Sequence, residues 1–373
     1  MNIPFNKPYL TGEEKIYIDH ALGSGKLSGN GDFTRKCQTL LEKRYGLRKT
    51  LLTTSCTDAL ELASLLIDLK PGDEVIVPSY TFVSTANAFA LRGAKLVFAD
   101  SRKDHPNLDT DQLESLITPH TRAIVPVHYG GQACDMAQIM TIADKHKLWV
   151  IEDAAQAIDS AHGGRFLGGI GHLGAFSFHD TKNIIAGEGG ALAINHDAFV
   201  KRAEILWEKG TNRSAFFRGE VDKYGWVDVG SSFLPSELIA AFLLAQLEQI
   251  EKIQQLRMGA WKTYRTVLAP LENKGVLVMP EQPHNAHLFY LICLSLDERT
   301  ALIAHLKARG IASVFHYLSL HKSPYFAEKH DGRTLPNADR FTDCLLRLPM
   351  YAELGAAGAE RVAGAVLEFY AAR

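Results

Sequence analysis

The chain is poor in the features that mark secreted, metal-binding and membrane-spanning proteins. Its 373 residues include only five cysteines, at the scattered positions 37, 56, 134, 293 and 344. None of them has the Cys-x-x-Cys spacing of a zinc or redox site. No apolar run approaches the roughly 20 residues that cross a bilayer, and the first residues lack the apolar core of a signal peptide. We therefore expect a cytoplasmic protein without a disulfide framework or a metal site.

An excess of charge of either sign is also missing, because the formal net charge is only −2. This balance argues against a nucleic-acid partner and against a basic membrane-binding patch. The length exceeds the size at which one hydrophobic core stops growing, so two domains are expected. We place them at residues 1–245, with the N-terminal segment, and residues 246–373.

Alternating strand-like and helix-like runs fill residues 50–200. Because the strand-like runs are continuously apolar, they predict strands buried on both faces of a mostly parallel α/β sheet that is covered by helices. The predicted strands end or lie at residues 51–53, 74–77, 95–99, 123–127 and 148–151, and a helix is predicted at 57–69. Ligands of such sheets bind outside the carboxyl ends of the strands.

The second half of the chain predicts a smaller α+β domain. A long helix opens at Pro235, and an apolar stripe from Ile239 to Ile253 marks it as the connector between the domains. Beyond it, strands are predicted at 288–296 and 312–317, and helices at 300–309 and 357–370.

Two glycine-rich motifs resemble nucleotide-binding loops without their context. Residues 169–174 match the GxGxxG pattern, which needs a strand before it and a helix after it. Here an apolar strand, residues 175–178, follows the glycines. The P-loop-like residues 23–26 are followed by Leu27, where a P-loop has Ser or Thr. A nicotinamide oxidoreductase is therefore disfavoured.

Lys182 lies in a polar turn between an apolar strand and a glycine-rich segment. A desolvated lysine at such a place has a lowered pKa and can form a Schiff base. Asp153 ends another apolar strand, where a carboxylate can keep a pyridine nitrogen protonated. The pair indicates pyridoxal phosphate (PLP). Taken singly, Lys182 also fits a solvated loop lysine, and Asp153 fits a helix N-cap.

Further residues supply the other parts of a PLP site. A phosphate cup is predicted at residues 54–58, which include Cys56 and Thr57, at a helix start where free N–H groups bind anions, with the Ser177 hydroxyl nearby. Phe82 is a candidate for stacking on the ring, and Gln156 for bonding the ring hydroxyl. Each has an ordinary alternative as a cap, a core aromatic residue or a surface amide.

Across nearly the whole chain, these segments resemble the nucleotide-sugar aminotransferases of the DegT/StrS type, which are fold-type I PLP enzymes. The resemblance implies a large PLP domain and a small C-terminal domain. It assigns the Schiff base to Lys182 and the pyridine contact to Asp153, and it puts the cofactor against the other residues just named. The segments that carry it are residues 25–29, 54–57, 78–85, 152–156, 177–183 and 187–190.

A second set of segments resembles one branch of that family, the dTDP-4-amino-4,6-dideoxygalactose transaminases. The branch implies a 4-keto-6-deoxyhexose on thymidine diphosphate as substrate, L-glutamate as donor, and a role in surface polysaccharide such as enterobacterial common antigen. It also implies a homodimer with shared active sites. The segments are residues 209–214, 216–219, 222–224, 230–232 and 314–317.

The branch segments contain the candidate substrate residues. Arg213, Arg218, Lys223 and His316 are candidates for binding the diphosphate, although each also fits a solvated side chain. Ser232 stands where many members carry an asparagine that reaches the partner's cofactor phosphate. Similarly, Cys56 stands where the family usually has glycine.

Several other functions remain open at this stage. The nearest is a PLP aminotransferase of a 3-keto or another 4-keto nucleotide sugar. A PLP-dependent sugar dehydratase replaces the Schiff-base lysine with histidine, and His179 lies near, but Lys182 is present. A non-catalytic, PLP-binding regulatory protein is the alternative from a different class.

Overall fold

The computed structural model describes residues 2–280 and 285–373. The α-helices are α1 (Glu14–Gly23), α2 (Asp32–Tyr45), α3 (Cys56–Leu66), α4 (Val83–Ala90), α5 (Met136–His146), α6 (Asp197–Trp207), α7 (Arg213–Phe217), α8 (Glu237–Glu248), α9 (Ile250–Asn273), α10 (Leu296–Ala308), α11 (Pro336–Cys344) and α12 (Gly355–Ala371). The strands are β1 (Lys49–Thr53), β2 (Glu74–Pro78), β3 (Lys95–Ala99), β4 (Thr121–Ile124), β5 (Trp149–Asp153), β6 (Ala161–His162), β7 (Arg165–Phe166), β8 (Leu173–Ser177), β9 (Gly190–Ile194), β10 (Phe289–Ile292) and β11 (Leu345–Leu348).

The described residues form one large sheet with the strand order β1-β9-β8-β5-β4-β2-β3. Only β9 runs against its neighbours, so the predicted mostly parallel α/β sheet is confirmed. Successive residues of a strand enter different cores: Val75 and Val77 pack on one face, and Ile76 packs on the other. Burial on both faces is the reason that these strands read as continuous apolar runs.

A third hydrophobic core lies in the C-terminal part of the chain. It packs α9, α10 and α12 against the antiparallel pair β10–β11, and it includes Trp261, Phe289 and Val362. The apolar stripe of the connector is present, but the helix is interrupted at Gln249 between α8 and α9. The predicted domain boundary at residues 245 and 246 falls just before this break and stays a prediction.

Two of the predicted strands are shorter than expected. The run at 288–296 forms a strand only over β10, because Ser295 then caps α10 through the N–H of Glu298. The run at 312–317 is wrong as a strand, since only Val314 pairs, with Arg347. Its apolar side chains instead line openings of the protein surface.

Within residues 2–280 and 285–373, no helix has the length and apolar character needed to cross a membrane. The same residues contain no group of three or more His, Cys, Asp or Glu side chains that could hold a metal ion.

Gly190 lies where three strands meet the first turn of α3. It pairs with Ser177 of β8 on one side and with Thr53 of β1 on the other. A Cβ atom at this position would overlap the backbone of Ser55 and Cys56. The absence of a side chain therefore allows the start of α3 to lie directly against the edge of the sheet.

We predict that Gly190→Ala lowers the free energy of unfolding by about 1–3 kcal/mol, because the added methyl group must push α3 away from the sheet. Thermal and denaturant unfolding measure the change. Gly259→Ala in α9 is the matched control, since a Cβ there meets no atom within 4 Å and alanine favours a helix. Equal stability of the Gly190→Ala variant and the native protein would contradict this packing argument.

Candidate active site

A cavity of about 520 Å³ lies at the carboxyl edge of the large sheet. Its floor comes from the ends of β5 and β8 and from the start of α3. The C-terminal part of the chain closes one side with His287, His316, Tyr317 and Arg347. This is the position at which open α/β sheets bind their ligands.

Lys182 lines the cavity in the turn after β8, where its N–H donates to the His179 carbonyl at 2.9 Å. Burial lowers the pKa of the Lys182 amine, against the opposite influence of Cys56 and Asp153, and the nearby Arg347 guanidinium lowers it further. A larger fraction of the amine is therefore unprotonated than in an ordinary lysine, which favours nucleophilic attack and proton abstraction.

The Asp153 carboxylate is buried at the end of β5 and is held by two hydrogen bonds. One oxygen accepts from the Thr85 hydroxyl at 2.7 Å, and the other accepts from the Ala155 N–H at 3.1 Å. Thr85 is itself 2.9 Å from the Thr81 hydroxyl. The carboxylate is thus fixed in orientation before any ligand arrives.

The first turn of α3 offers hydrogen-bond donors to the cavity. The Ser55 side chain caps the helix by accepting from the Asp58 N–H at 3.0 Å. The N–H groups of Cys56 and Thr57 precede any intrahelical acceptor, as at every helix start. The Thr57 hydroxyl donates to Ser84 at 2.8 Å, and Ser177 lies opposite on β8. The free N–H groups and the Ser177 hydroxyl are of the kind that suits a phosphate.

Gln156 forms hydrogen bonds with both the N-terminal and the C-terminal part of the chain. Its side-chain oxygen accepts from the Gly130 N–H at 2.7 Å, and its amide donates to the Tyr317 hydroxyl at 2.9 Å. Phe82 also lines the cavity, with 54% of its surface exposed and its ring centroid 5.9 Å from that of Tyr317. Both side chains therefore line the same cavity as Lys182.

A hydrogen-bond network joins the neighbour of Lys182 to the C-terminal part. The Asn183 amide donates to the Asn285 carbonyl at 2.6 Å and to Gln254 at 2.8 Å. Because the amide nitrogen is the donor, the Asn183 oxygen accepts from Nδ1 of His287 at 2.7 Å. Burial lowers the pKa of His287 well below its usual range, and the charge of the nearby Lys182 lowers it further. This imidazole is therefore neutral.

His316 lies in the cavity, as its assignment to a ligand site requires. Burial, followed by the charges of Arg347 and Lys182, lowers its pKa to about 4. The neutral ring can accept or donate a hydrogen bond but brings no positive charge to a diphosphate at pH 7.

Sequence reasoning missed Thr85, His287, Tyr317 and Arg347 as members of the site. Thr85 lies three residues after Phe82, within a segment that was already singled out. Tyr317 lies in the branch segment that contains His316, but no local pattern marks it as a ligand group. His287 and Arg347 lie more than a hundred residues from Lys182, and only the packing of the two parts of the chain brings them there.

The remaining candidates lie outside this cavity. Arg213, Arg218 and Ser232 line a second cavity of about 930 Å³, together with Lys26, Arg35 and Lys209. Arg218 pairs with Glu204 at 2.8 Å and with Glu220 at 2.7 Å. Lys223 is exposed. A single chain therefore does not bring these residues to Lys182.

The GxGxxG motif encloses a carboxylate of the protein. The buried Glu152 side chain accepts from the N–H groups of Gly168 at 2.8 Å and Ile170 at 2.7 Å, and also from Gly171. It further bonds Nε2 of His128 at 2.8 Å. The glycines thus hold Glu152, the neighbour of Asp153, and β8 follows them as the sequence predicted.

A family model described as the DegT/DnrJ/EryC1/StrS aminotransferase family matches residues 8–367. The chain belongs to this family. Among solved structures, DesV from S. venezuelae is 32% identical with a TM-score of 0.89, covering 100% of this chain and 99% of its own. The sugar aminotransferase Spr1654 from Streptococcus pneumoniae in its PMP form, described as putative, is 26% identical with a TM-score of 0.91 and full coverage of both chains.

A third structure shows how widely the fold is shared. PseC from Helicobacter pylori, described as an aminotransferase involved in the biosynthesis of pseudoaminic acid, is 24% identical and has a TM-score of 0.91 over 100% of both chains. At this identity the likeness concerns the fold.

The family match shows that the chain is a PLP-dependent aminotransferase, as its residues indicated.

The residues of the cavity fit this cofactor. The start of α3, Thr57 and Ser177 match its phosphate, Asp153 matches its pyridine nitrogen, and Lys182 matches its aldehyde. The volume of about 520 Å³ lies in the usual range for cofactor sites.

The residues around the cavity would have separate roles in transamination. When bound, pyridoxal phosphate supplies a ring that withdraws electrons from the carbon next to the substrate nitrogen. The Lys182 amine, with its lowered pKa, would take the proton from that carbon and return it elsewhere. The Asp153 carboxylate, held by Thr85, favours a positive charge on the group that it faces. Tyr317 and Gln156 keep the wall of the cavity in place.

We predict a shifted pH dependence for cofactor capture. Because burial lowers the pKa of Lys182, the amine loses its proton at a lower pH than the ordinary value of about 10.4. The rate at which cofactor-free protein combines with added PLP, followed by stopped-flow absorbance, should rise with pH and reach its half-point below that of Nα-acetyl-lysine. A half-point at or above that of the free amine would contradict the burial argument. Lys182→Ala is the control for absorbance from other amines.

Proposed function

We propose that the protein transfers an amino group from L-glutamate to C4 of dTDP-4-keto-6-deoxy-D-glucose. The product is dTDP-4-amino-4,6-dideoxy-D-galactose, an aminosugar for surface polysaccharide. The observation that carries the transamination is the convergence of Lys182, Asp153 and the start of α3 on one cavity.

Similarity to sugar enzymes supports the nucleotide-sugar part of the proposal. Spr1654, which is 26% identical, is described as a putative sugar aminotransferase. The segments at 209–214, 216–219 and 222–224 resemble the 4-amino-4,6-dideoxygalactose branch. Their cationic side chains Arg213 and Arg218 line the second cavity, and guanidinium groups are suited to a diphosphate.

A homodimer with shared sites would explain why Arg213, Arg218 and Ser232 line a different cavity from Lys182. Helix α7 and the loop that follows it expose Phe217, Tyr224 and Trp226, the last with 84% of its surface exposed. Clustered exposed aromatic residues mark protein contacts. In the proposed dimer, α7 and this loop carry Arg213 and Ser232 of one subunit to the cavity around Lys182 of the other.

The arrangement of His179 does not favour the alternative of a PLP-dependent sugar dehydratase, in which a histidine replaces the Schiff-base lysine. The ring of this residue lies 2.9 Å from the Thr181 hydroxyl and 3.0 Å from an Asp180 oxygen, while Lys182 occupies the turn. We therefore assign the Schiff base to Lys182. The alternative substrate, a 3-keto nucleotide sugar, is separated from the 4-keto sugar by the assay below.

We predict that the PLP-loaded protein with L-glutamate converts dTDP-4-keto-6-deoxyglucose to an amine with the galacto configuration at C4. Mass spectrometry detects the amine, and NMR of the C4 proton assigns the configuration. The Asp153→Asn variant should lose at least about 100-fold in rate, because the neutral amide no longer favours a protonated pyridine.

Parallel reactions with the 3-keto isomer and with GDP-linked 4-keto sugars serve as substrate controls. Amine formation only from the 3-keto isomer would overturn the proposed substrate while leaving transamination intact. A gluco product would overturn the proposed configuration. Conversion without added amino donor would overturn transamination itself.

A further inference from the structure

Arg347 projects from β11 into the cavity that contains Lys182. Its strand neighbours Leu346 and Leu348 pack in the opposite direction, into the C-terminal core. The guanidinium lies over the ring of Phe5 at 5.3 Å, and its Nη1 donates to Nδ1 of His316 at 3.1 Å. The side chain is therefore fixed from two sides and faces the large domain.

The charge of Arg347 is not balanced by the protein. Only 8% of the residue is exposed, yet no carboxylate within residues 2–280 and 285–373 forms an ion pair with it. Its Nε is buried without a hydrogen-bond partner. Burying a cation in this way is costly unless an anion or hydrogen bonds compensate.

A second buried arginine in the same region, Arg257, has a structural role and serves as a comparison for Arg347. Arg257 donates from Nε and Nη2 to the carbonyls of Ala286, His287 and Met350, between 2.7 and 3.3 Å. Its side chain is satisfied by the backbone and does not line the cavity. Arg347 instead lines the cavity, and no carbonyl of the described residues compensates its buried Nε.

The groups next to Arg347 do not offset its charge. The low pKa of His316 keeps that ring neutral, and Lys182 adds a second basic group. The carboxylates that line the cavity are Asp153, which bonds Thr85, and the exposed Glu188, which lies 3.6 Å from His179. An anionic ligand near Arg347 would restore the balance.

We propose that Arg347 binds the α-carboxylate of the amino donor; this rests on the proposed transamination. A planar guanidinium pairs with a carboxylate through two parallel N–H bonds. The α-carboxylate is bonded to the carbon from which Lys182 takes the proton, so both groups must be near Lys182. The diphosphate of the sugar substrate is attached to C1, across the ring from the reacting C4, and therefore lies farther from Lys182.

The test compares Arg347→Lys and Arg347→Met in PLP-loaded protein. Arg299→Lys is the matched control, because Arg299 also lies over a phenylalanine ring, that of Phe315, but does not line the cavity. Absorbance titrations use L-glutamate, α-methyl-L-glutamate, which cannot lose an α-proton, and 4-aminobutyrate, which lacks the α-carboxylate. PLP content, melting temperature and the reaction with the dTDP-aminosugar are measured in parallel.

We expect Arg347→Met to weaken binding of both glutamates by about 10- to 100-fold, the usual effect of losing a charged hydrogen bond. Binding of 4-aminobutyrate, PLP content and reaction with the dTDP-aminosugar should change far less than binding of the two glutamates. Arg347→Lys should recover part of the affinity, and Arg299→Lys should behave as the native protein.

Equal weakening of 4-aminobutyrate and L-glutamate would overturn the assignment to the α-carboxylate. Loss confined to the dTDP-aminosugar would assign Arg347 to the sugar, and loss of PLP would assign it to the cofactor; both overturn the proposal. If the native protein reacts with glutamate but not with the dTDP-sugar, the proposed sugar substrate fails while the Arg347 comparison remains decisive. If another L-amino acid replaces glutamate as donor, the same comparison is made with that amino acid and its decarboxylated analogue.

Discussion

The close approach between the first turn of α3 and Gly190 determines where the cavity lies. Gly190 pairs with both Ser177 and Thr53, so three strands end at one level of the sheet. Since no side chain intervenes there, the N–H groups at the start of α3 are next to Ser177 and close to the turn that carries Lys182. A bulkier residue would separate the anion-binding groups from the lysine.

The buried carboxylate of Glu152 fixes the end of β5, the strand next to β8. Glu152 gathers the N–H groups of the glycine loop and the ring of His128, and all of these bonds are buried. Asp153, the next residue, then points to the opposite side, into the cavity, because side chains alternate along a strand. The glycine motif thus has a structural role that its resemblance to a nucleotide loop conceals.

Electrostatics gives this cavity its chemical character. Burial and the charge of Arg347 lower the pKa of Lys182, and the same influences keep His287 and His316 neutral. Asp153 is the buried acid that faces them. A lysine that is partly unprotonated beside an oriented carboxylate can move a proton at a carbon atom, which an ordinary exposed lysine does poorly. The neutral histidines avoid adding further charge repulsion.

The sequence predicted the parts of this site that lie at strand ends and helix starts. Lys182, Asp153, Cys56, Thr57 and Ser177 were found because parallel strands of a sheet share one carboxyl edge. The GxGxxG motif leads into a strand, β8, and not into the helix that a dinucleotide-binding loop requires.

Tertiary packing decides the rest, and local patterns do not report it. His287 and Arg347 reach the cavity only because the C-terminal part packs over the sheet edge. The run at 312–317 reads as a strand because it is apolar, but its residues line cavities. The branch residues Arg213 and Arg218 lie at a second cavity of the same chain.

Chemical trapping of the lysine tests the central claim most directly. The PLP-loaded protein is reduced with borohydride, digested, and analysed by peptide mass spectrometry. The account predicts that the phosphopyridoxyl group is found on Lys182 and disappears when L-glutamate is added before reduction. Labelling of another lysine, or labelling of Lys182 that glutamate does not affect, would contradict it.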